Sequence, residues 1–324
     1  MNFTDFLGNE KLKEQISSLA ESGRLPHAIV IEGDEGLGKR TFAREIALNL
    51  FCRSDGERPC RNCAQCSKVL KGVHPDVFEY SATGGARSFH VDVVRDVIDD
   101  VIVKPNEAQY KIYILGNCQC MNESSQNALL KVLEEPPEYA IFILTATTKS
   151  ALLGTVLSRS VVFTVEGVEP SLGAEYICEK LDSVEYSAMN IWSGNIGKAI
   201  QTLNDGKLSK IAAVANDIAN AMLQSSEYEL LKSCSVFEKD KETLVSTLTL
   251  LKTIFRDALL YGKSPDTLSG QSETVKMLAT RLSADKLLAL INTCDSMRLL
   301  AEKNGNNAIL ITKICYEFRR AQGR

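Results

Sequence analysis

A run of eight residues has the spacing of a phosphate-binding loop: Gly33-Asp34-Glu35-Gly36-Leu37-Gly38-Lys39-Arg40. Glycines at these positions let backbone N–H groups wrap around a phosphate, and Lys39 would neutralise the outer phosphates. A Ser or Thr normally follows the lysine to complete the magnesium shell, but this chain has Arg40 there. The hydroxyl of Thr41 lies one residue further on, about 100° around the helix. The loop predicts a phosphate-loop fold, with weak support for ATP or ADP binding and weaker support for hydrolysis.

Four cysteines follow closely in the sequence: Cys52, Cys60, Cys63 and Cys66. Four thiolates can close a tetrahedral shell around Zn²⁺, and two-residue gaps let consecutive ligands curl around one ion. The Gly, Pro and polar residues between them suit a small zinc knuckle over 52–66, while His74 is a less favoured ligand. Because four protein ligands leave no open position, the metal would be structural. An iron–sulfur cluster or four free thiols are the alternatives.

The hydrophobic pattern predicts five strands that alternate with helices and position these residues. The predicted strands are 27–32, 76–80, 110–115, 139–144 and 161–165. An amphipathic helix is predicted over 41–51, so that strand, loop and helix follow in the order that a phosphate loop requires. The alternation predicts an α/β domain over residues 1–166, with a parallel five-stranded sheet between helices.

An acid is missing at the end of the third predicted strand. A phosphate-loop hydrolase needs a carboxylate there to hold magnesium, and usually a second one to orient water. In this chain the strand runs into Gly116 and Asn117, and neither can supply it. Glu123 lies nearby, but the helix dipole favours an acid in the first turn of the next helix. Together with Arg40, two metal-binding elements are absent, so we expect no intrinsic ATPase activity.

Composition limits the classes of protein to consider. The 324 residues suffice for two or three domains, and 44% hydrophobic with 24% charged residues is ordinary globular material. A net charge of −4 argues against a strongly basic protein that binds nucleic acid alone. No apolar run approaches the ~20 residues that span a bilayer, and the first residues do not form a signal peptide. We therefore expect a cytoplasmic protein without membrane contact.

Strand signals disappear beyond Gly167, and helical periodicity replaces them. Apolar residues recur every three or four positions, for example at Leu244, Leu248 and Leu251, and again between Leu287 and Phe318. The pattern predicts short helices over 167–209 and an all-α bundle over 210–324.

Two further motifs carry a resemblance to a known family: Asn127-Ala128-Leu129-Leu130-Lys131-Val132-Leu133-Glu134-Glu135-Pro136-Pro137 and Thr155-Val156-Leu157-Ser158-Arg159-Ser160. Together with the phosphate loop and the four-cysteine insertion, they resemble the clamp-loader branch of the AAA+ ATPases, namely the gamma/tau and delta-prime subunits of bacterial DNA polymerase III. The resemblance is dense to about residue 165 and thinner beyond. Gamma/tau subunits carry an Asp-Glu pair where this chain has Gly116 and Asn117. The resemblance therefore favours the delta-prime type, which does not hydrolyse ATP.

The resemblance also implies roles and partners. Arg159 occupies the place of the family's Ser-Arg-Cys arginine, which implies a trans-acting arginine finger on a neighbour's ATP; Ser160 replaces the cysteine and leaves this charge intact. Residues 167–209, with the stretch 192–199, resemble the helical lid, and 210–324 would be the oligomeric collar. The implied partners are gamma/tau and delta subunits and, through the complex, the sliding clamp and primed DNA. The assembly belongs to the DNA polymerase III holoenzyme, a DNA-directed DNA polymerase.

Two other functions are compatible with the residues. One is a gamma/tau-like subunit that hydrolyses ATP with Thr41 and an unconventional acid. The other is a zinc-dependent nucleic-acid-binding protein in which the knuckle contacts DNA. The acidic balance of the chain and the scarcity of aromatic residues around the knuckle count against the second.

Overall fold

The computed structural model describes residues 1–81, 91–181, 186–224, 227–238, 240–263, 268–302 and 307–323. The chain divides into two compact units, Met1–Gly167 and Val168–Arg324. Within the described ranges, no helix has both the length and the apolar character needed to cross a membrane.

The described part of the first unit consists of a sheet and the helices that cover it. The strands are β1 (Ala28–Glu32), β2 (Val77–Ser81), β3 (Lys111–Gly116), β4 (Ala140–Ala146) and β5 (Val161–Thr164). The helices are α1 (Glu10–Glu21), α2 (Lys39–Phe51), α3 (Ala64–Leu70), α4 (Val91–Val101), α5 (Glu123–Glu134) and α6 (Gly154–Leu157). All strand pairs are parallel, in the order β2-β3-β4-β1-β5. This confirms the predicted five-stranded parallel sheet.

Alternation along the strands gives the sheet two buried faces. In β3, Ile112 and Ile114 point into one core, which also contains residues of α1 and α2. The residues between them, Tyr113 and Leu115, point into a second core with residues of α4 and α5. Burial on both faces is typical of parallel sheets, whose strands are nearly continuous apolar runs.

The sheet order brings several strand ends to one edge. β1 lies between β4 and β5, and β3 lies on the other side of β4. Because all strands are parallel, the loops that follow β1, β3 and β4 emerge at the same edge, where parallel α/β folds bind ligands. Helix α2 begins after the phosphate loop and contacts both β4 and β3. Residues at the start of α2 can therefore reach the end of β3.

The second unit is helical in its described ranges. Its helices are α7 (Pro170–Leu181), α8 (Tyr186–Ile191), α9 (Ile196–Asn204), α10 (Lys207–Gln224), α11 (Glu227–Ser235), α12 (Lys241–Leu259), α13 (Ser272–Arg281), α14 (Ala284–Glu302) and α15 (Asn307–Ala321). Helix α12 packs against α10, α13 and α14. Phe255 of α12 meets Phe318 of α15 edge to face, with 6.4 Å between ring centroids. The predicted lid and collar stay predictions, and their boundary at residues 209 and 210 falls inside α10.

Candidate functional site

The phosphate loop connects β1 to α2, and at two of its positions the backbone geometry requires glycine. A Cβ on Gly33 would lie 2.6 Å from the carbonyl oxygen of Val165, so a larger residue would displace the backbone that follows β5. Gly38 has φ 80° and ends the loop as the N-cap of α2 in the left-handed region, which glycine adopts without steric cost. The helix therefore begins at Lys39, two residues before the predicted start.

Lys39 is buried within its own loop. Its side chain is 7% exposed, and its Nζ donates hydrogen bonds to the carbonyl oxygens of Gly33, at 2.5 Å, and Asp34, at 2.7 Å. A phosphate oxygen would have to compete with these two carbonyl oxygens for the ammonium group. The loop therefore has the lysine of a phosphate site, held by backbone acceptors.

Arg40 and Arg44 enclose one carboxylate of β2. The Nη2 of Arg40 lies 2.6 Å from one oxygen of Glu79, and the Nη2 of Arg44 lies 2.7 Å from the other. The two arginines are four residues apart and thus neighbours on α2. With 44% and 51% of their side chains exposed, these ion pairs add little to stability. Their effect is to direct the guanidinium of Arg40 across the end of β3 toward β2.

The stem of Arg40 lies where the third strand lacks an acid. A Cβ on Gly116 would be 3.4 Å from Cδ of Arg40 and 3.0 Å from Cβ of Ser81. The next residue, Asn117, has φ 61°, and its N–H donates to Oγ1 of Thr145 at 3.1 Å. The replaced hydroxyl and the missing acid therefore concern one place in the fold, where a phosphate-loop enzyme holds magnesium.

The four predicted metal ligands lie together. The Sγ atoms of Cys52, Cys60, Cys63 and Cys66 are all within 4.8 Å of one another and could hold a metal ion. A tetrahedral zinc with Zn–S bonds of about 2.3 Å needs sulfur atoms about 3.8 Å apart, so small side-chain shifts would close the shell. Four sulfur donors suit zinc and leave no position for a substrate.

Backbone N–H groups support the charged form of some of these thiols. The N–H of Cys60 donates to Sγ of Cys52 at 3.2 Å, and the N–H of Cys63 donates to Sγ of Cys60 at 3.4 Å. Burial acts to raise the pKa of Cys63, but the N–H groups of Arg53 and Cys66 outweigh it and lower this pKa to about 6. At Cys66 burial prevails and raises the pKa. A divalent cation would compensate the charge that the cluster gains as its thiols ionise.

An ion-pair network ties the knuckle to α2 and to the N-terminal segment. Arg61, within the knuckle, lies 2.5 Å from Oδ2 of Asp5 and 2.5 Å from Oε1 of Glu45. Glu45 is 2% exposed, and burial raises its pKa while Arg61 acts in the opposite direction. Sequence reasoning missed this pair, although a glutamate among the core-facing residues of α2 was a signal that it needs a buried partner.

His74 has a structural role in the described contacts. Its Nε2 lies 2.5 Å from Oε1 of Gln65, and its Nδ1 accepts a hydrogen bond from the N–H of Asp76 at 3.0 Å. These contacts fix the tautomer with the proton on Nε2, and burial lowers the pKa of this histidine. Both ring nitrogens are therefore engaged away from the thiols, which agrees with its low rank as a metal ligand.

Arg159 follows α6 and makes three contacts. Its Nη1 donates to the carbonyl oxygen of Thr155 at 2.9 Å and to Oγ of Ser158 at 3.2 Å, and its Nη2 lies 2.8 Å from Oε1 of Glu134. The guanidinium side chain is 35% exposed. Sequence reasoning singled out Arg159 but not its carboxylate partner, which belongs to another helix.

The sheet separates Arg159 from the phosphate loop of the same chain. Arg159 precedes β5, and Glu134 precedes β4, so both lie at the amino edge of the parallel sheet. The phosphate loop follows the carboxyl end of β1, at the opposite edge. Strands rise about 3.3 Å per residue, so the five residues of β1 put on the order of 15 Å between the edges. Arg159 therefore lies far from the phosphate loop of its own chain.

Comparisons with known proteins point to one family. A family described as "DNA polymerase III, delta subunit" matches residues 8–169, half of the chain. The gamma subunit of Buchnera aphidicola (subsp. Acyrthosiphon pisum) is 29% identical over 263 residues, which cover 78% of this chain and 72% of the relative. The delta' subunit of Haemophilus influenzae is 29% identical over 195 residues, which cover 59% of each chain. A solved gamma-subunit-related protein of Thermotoga maritima has 17% identity and a TM-score of 0.42, covering 95% of this chain and 99% of that one.

The relatives differ in length and in subunit type. The chain spans 59% of the Haemophilus delta' subunit and 35% of the tau subunit of Escherichia coli, so it matches only part of these proteins. Relatives named gamma or tau are 28–32% identical to this chain, and the delta' relative described above is 29% identical. Similarity alone does not separate the two types, so the type has to be argued from the site.

Proposed function

The chain belongs to the family of DNA polymerase III clamp-loader subunits, and we propose that it is a subunit of the delta-prime type. It would lack ATPase activity of its own and supply Arg159 to the ATP site of a neighbouring subunit. Its partners would be gamma/tau-type and delta-type subunits in the cytoplasm, together with the sliding clamp and primed DNA that the complex brings together.

The observation that supports an inactive ATP site in this chain is the position of the Arg40 side chain. Its stem lies against Gly116, and its guanidinium reaches Glu79. Magnesium in a phosphate-loop enzyme is held by the hydroxyl after the lysine and by the acid at the strand end. Here Arg40 stands in place of the hydroxyl-bearing residue, and its side chain lies over Gly116, where the acid would be. Lys39 and the glycines stay in position, so the loop keeps its shape without the groups that hold the metal.

The trans role of Arg159 is supported by its edge of the sheet. An arginine finger contributes positive charge to the phosphoryl group in transfer, and it must come from outside the site when the site's own chain lacks one. Arg159 is partly exposed and lies at the edge opposite its own loop. In a ring of similar subunits, such an edge is the one that can face the loop of the next subunit.

The cysteine cluster fits a structural Zn²⁺ ion. We expect Cys52, Cys60, Cys63 and Cys66 to hold it, and the Arg61 network to fix the knuckle on α2. Residues 167–209 would form the lid, and residues 210–324 would form the collar. These roles follow from the family and not from a contact in this structure.

Turnover by the isolated chain tests the inactive ATP site. We expect ATP hydrolysis by the wild-type chain to equal that of Lys39→Ala, because neither can hold magnesium as a working site does. The second candidate, a gamma/tau-type subunit, is favoured by the 29% identity to relatives of that type. Magnesium-dependent turnover that Lys39→Ala abolishes would establish that candidate and overturn the delta-prime proposal.

A further inference from the structure

We propose that Glu134 is a positioning residue for Arg159: it holds the guanidinium on the chain's own surface until the phosphate of a neighbour's nucleotide replaces it. This inference rests on the proposed function, because it assumes that Arg159 acts in trans. It adds a second residue to that action, one that competes with the nucleotide for the finger.

The contacts of Arg159 divide its guanidinium into two parts. Nη1 donates hydrogen bonds to the carbonyl oxygen of Thr155 and to Oγ of Ser158, which belong to the same turn of chain. Nη2 is paired with Glu134, at the end of α5, 2.8 Å away. The local contacts can persist while Nη2 changes partner, so Glu134 is the contact that a phosphate oxygen would displace.

The position of Glu134 in its helix has an electrostatic consequence. It is the last residue of α5, where unpaired carbonyl groups carry partial negative charge and disfavour a nearby carboxylate. Glu135 follows it and adds a second negative charge at the same helix end. Lys131 lies in the last turn of α5, and Arg159 brings a second cation to this helix end through its pair with Glu134. The carboxylate of Glu134 is thus placed to attract Arg159, although its charge destabilises the end of its own helix.

The pair is open enough to exchange. The side chains of Arg159 and Glu134 are 35% and 49% exposed, and exposed pairs of this kind are weak. A phosphate group carries more charge and offers geometrically suited oxygens to a guanidinium, so it is the stronger partner. Glu134 therefore delays the finger only when the neighbour's site is poorly closed, and it matters little once closure brings the phosphate near.

The test is the ATPase of a reconstituted loader that contains Glu134→Gln in this subunit. We expect turnover without clamp and DNA to rise by about two- to fivefold, the range that loss of an exposed ion pair allows. Turnover with clamp and primed DNA should stay within error of wild type, because closure already favours the phosphate. Glu135→Gln is the matched control: it removes a charge at the same helix end without removing the pair, and should leave both rates unchanged.

A second variant separates a role through Arg159 from a structural one. In the Arg159→Ala loader, adding Glu134→Gln should change nothing, since there is no finger left to release. An equal rise in that background, no rise in the wild-type background, or a fall in turnover would each overturn the inference. Arg159→Ala alone distinguishes the two proposals: if it lowers DNA-stimulated turnover while Glu134→Gln has no effect, the finger stands and the inference fails. If Arg159→Ala has no effect, both fail.

Discussion

The side chain of Arg40 lies against Gly116, with its Cδ 3.4 Å from the position that a Cβ would take on that glycine. The two residues are far apart in sequence, and each alone is a departure from a phosphate-loop enzyme. Because the two side-chain positions are in contact, both departures alter the same place in the fold. A Cβ at residue 116 would lie at van der Waals distance from Cδ of Arg40 and closer, at 3.0 Å, to Cβ of Ser81, so a larger side chain there would compete with Arg40 for space.

Restoring the acid should therefore depend on residue 40. We expect Gly116→Asp to lower the free energy of unfolding by about 1–3 kcal/mol, because its Cβ would lie 3.0 Å from Cβ of Ser81 and its carboxyl group would share space with the Arg40 side chain. Adding Arg40→Thr should recover part of this loss, and denaturant unfolding of the two single variants and the double variant measures the coupling. Gly154→Asp is the control, since a Cβ there meets nothing within 4 Å. Strictly additive effects of the two substitutions would contradict the contact.

Metal content should depend on the cysteine cluster. We expect the purified chain to contain one zinc per molecule and Cys63→Ser to lose it, because three thiolates and a hydroxyl bind zinc far more weakly. Cys178→Ser, which lies outside the cluster, should keep the metal. Elemental analysis and thermal unfolding with and without a chelator measure the two effects. Iron in place of zinc, or equal zinc in both variants, would refute the assignment.

Because Arg61 pairs with the buried carboxylate of Glu45, replacing Arg61 should destabilise the chain. We expect Arg61→Ala to destabilise the chain by about 3–5 kcal/mol, because it leaves the carboxylate of Glu45 without its cation. Adding Glu45→Gln should restore part of the stability, since burial already raises the pKa of Glu45. Arg58→Ala, which removes an exposed hydrogen bond to Ser54, is the control. Thermal unfolding at saturating zinc gives the comparison, and equal effects of the two alanine variants would exclude the buried pair.

Asp76 should link stability to acid pH. Its carboxylate is fully buried and accepts hydrogen bonds from the N–H groups of Asn106, Glu107 and Ala108, at 2.6 to 2.9 Å. Burial acts to raise its pKa, but these donors prevail and lower the pKa below the usual 3.8. A lowered pKa in the folded state means stability that is present above pH 3.8 and is lost as the pH falls below it.

Replacing this carboxylate removes that dependence. We expect Asp76→Asn to lower the free energy of unfolding by about 2–3 kcal/mol at pH 7. The single amide oxygen cannot accept all the hydrogen bonds that the two carboxylate oxygens accept. Urea unfolding between pH 3 and pH 7 should show the difference between wild type and variant shrinking as the pH falls. A constant difference across this range would rule out the carboxylate as its origin.

Local patterns were enough to predict the sheet and the grouping of the four cysteines. The strands are continuous apolar runs, and the cysteines of the cluster are close in sequence, so short-range spacing carries the information. The phosphate loop is likewise a local motif, although its helix begins at Lys39 because Gly38 adopts a left-handed cap.

Partners from distant parts of the chain could not be read in this way. Glu79 meets Arg40 only because the sheet order places β2 next to β3. Glu134 meets Arg159 because β4 and β5 both begin at the same edge of the sheet. Strand order is a property of the packed domain, and hydrophobic periodicity does not contain it.

The most direct test of the central claim is the DNA-stimulated ATPase of a loader that contains Arg159→Ala in this subunit, with assembly verified by size-exclusion chromatography. An arginine finger is worth about 10³–10⁵ in rate at the site it serves, so we predict that the neighbour's share of turnover is lost. Arg24→Ala, an exposed arginine of the same unit, should leave turnover intact. Unchanged turnover in a fully assembled Arg159→Ala loader would contradict the account.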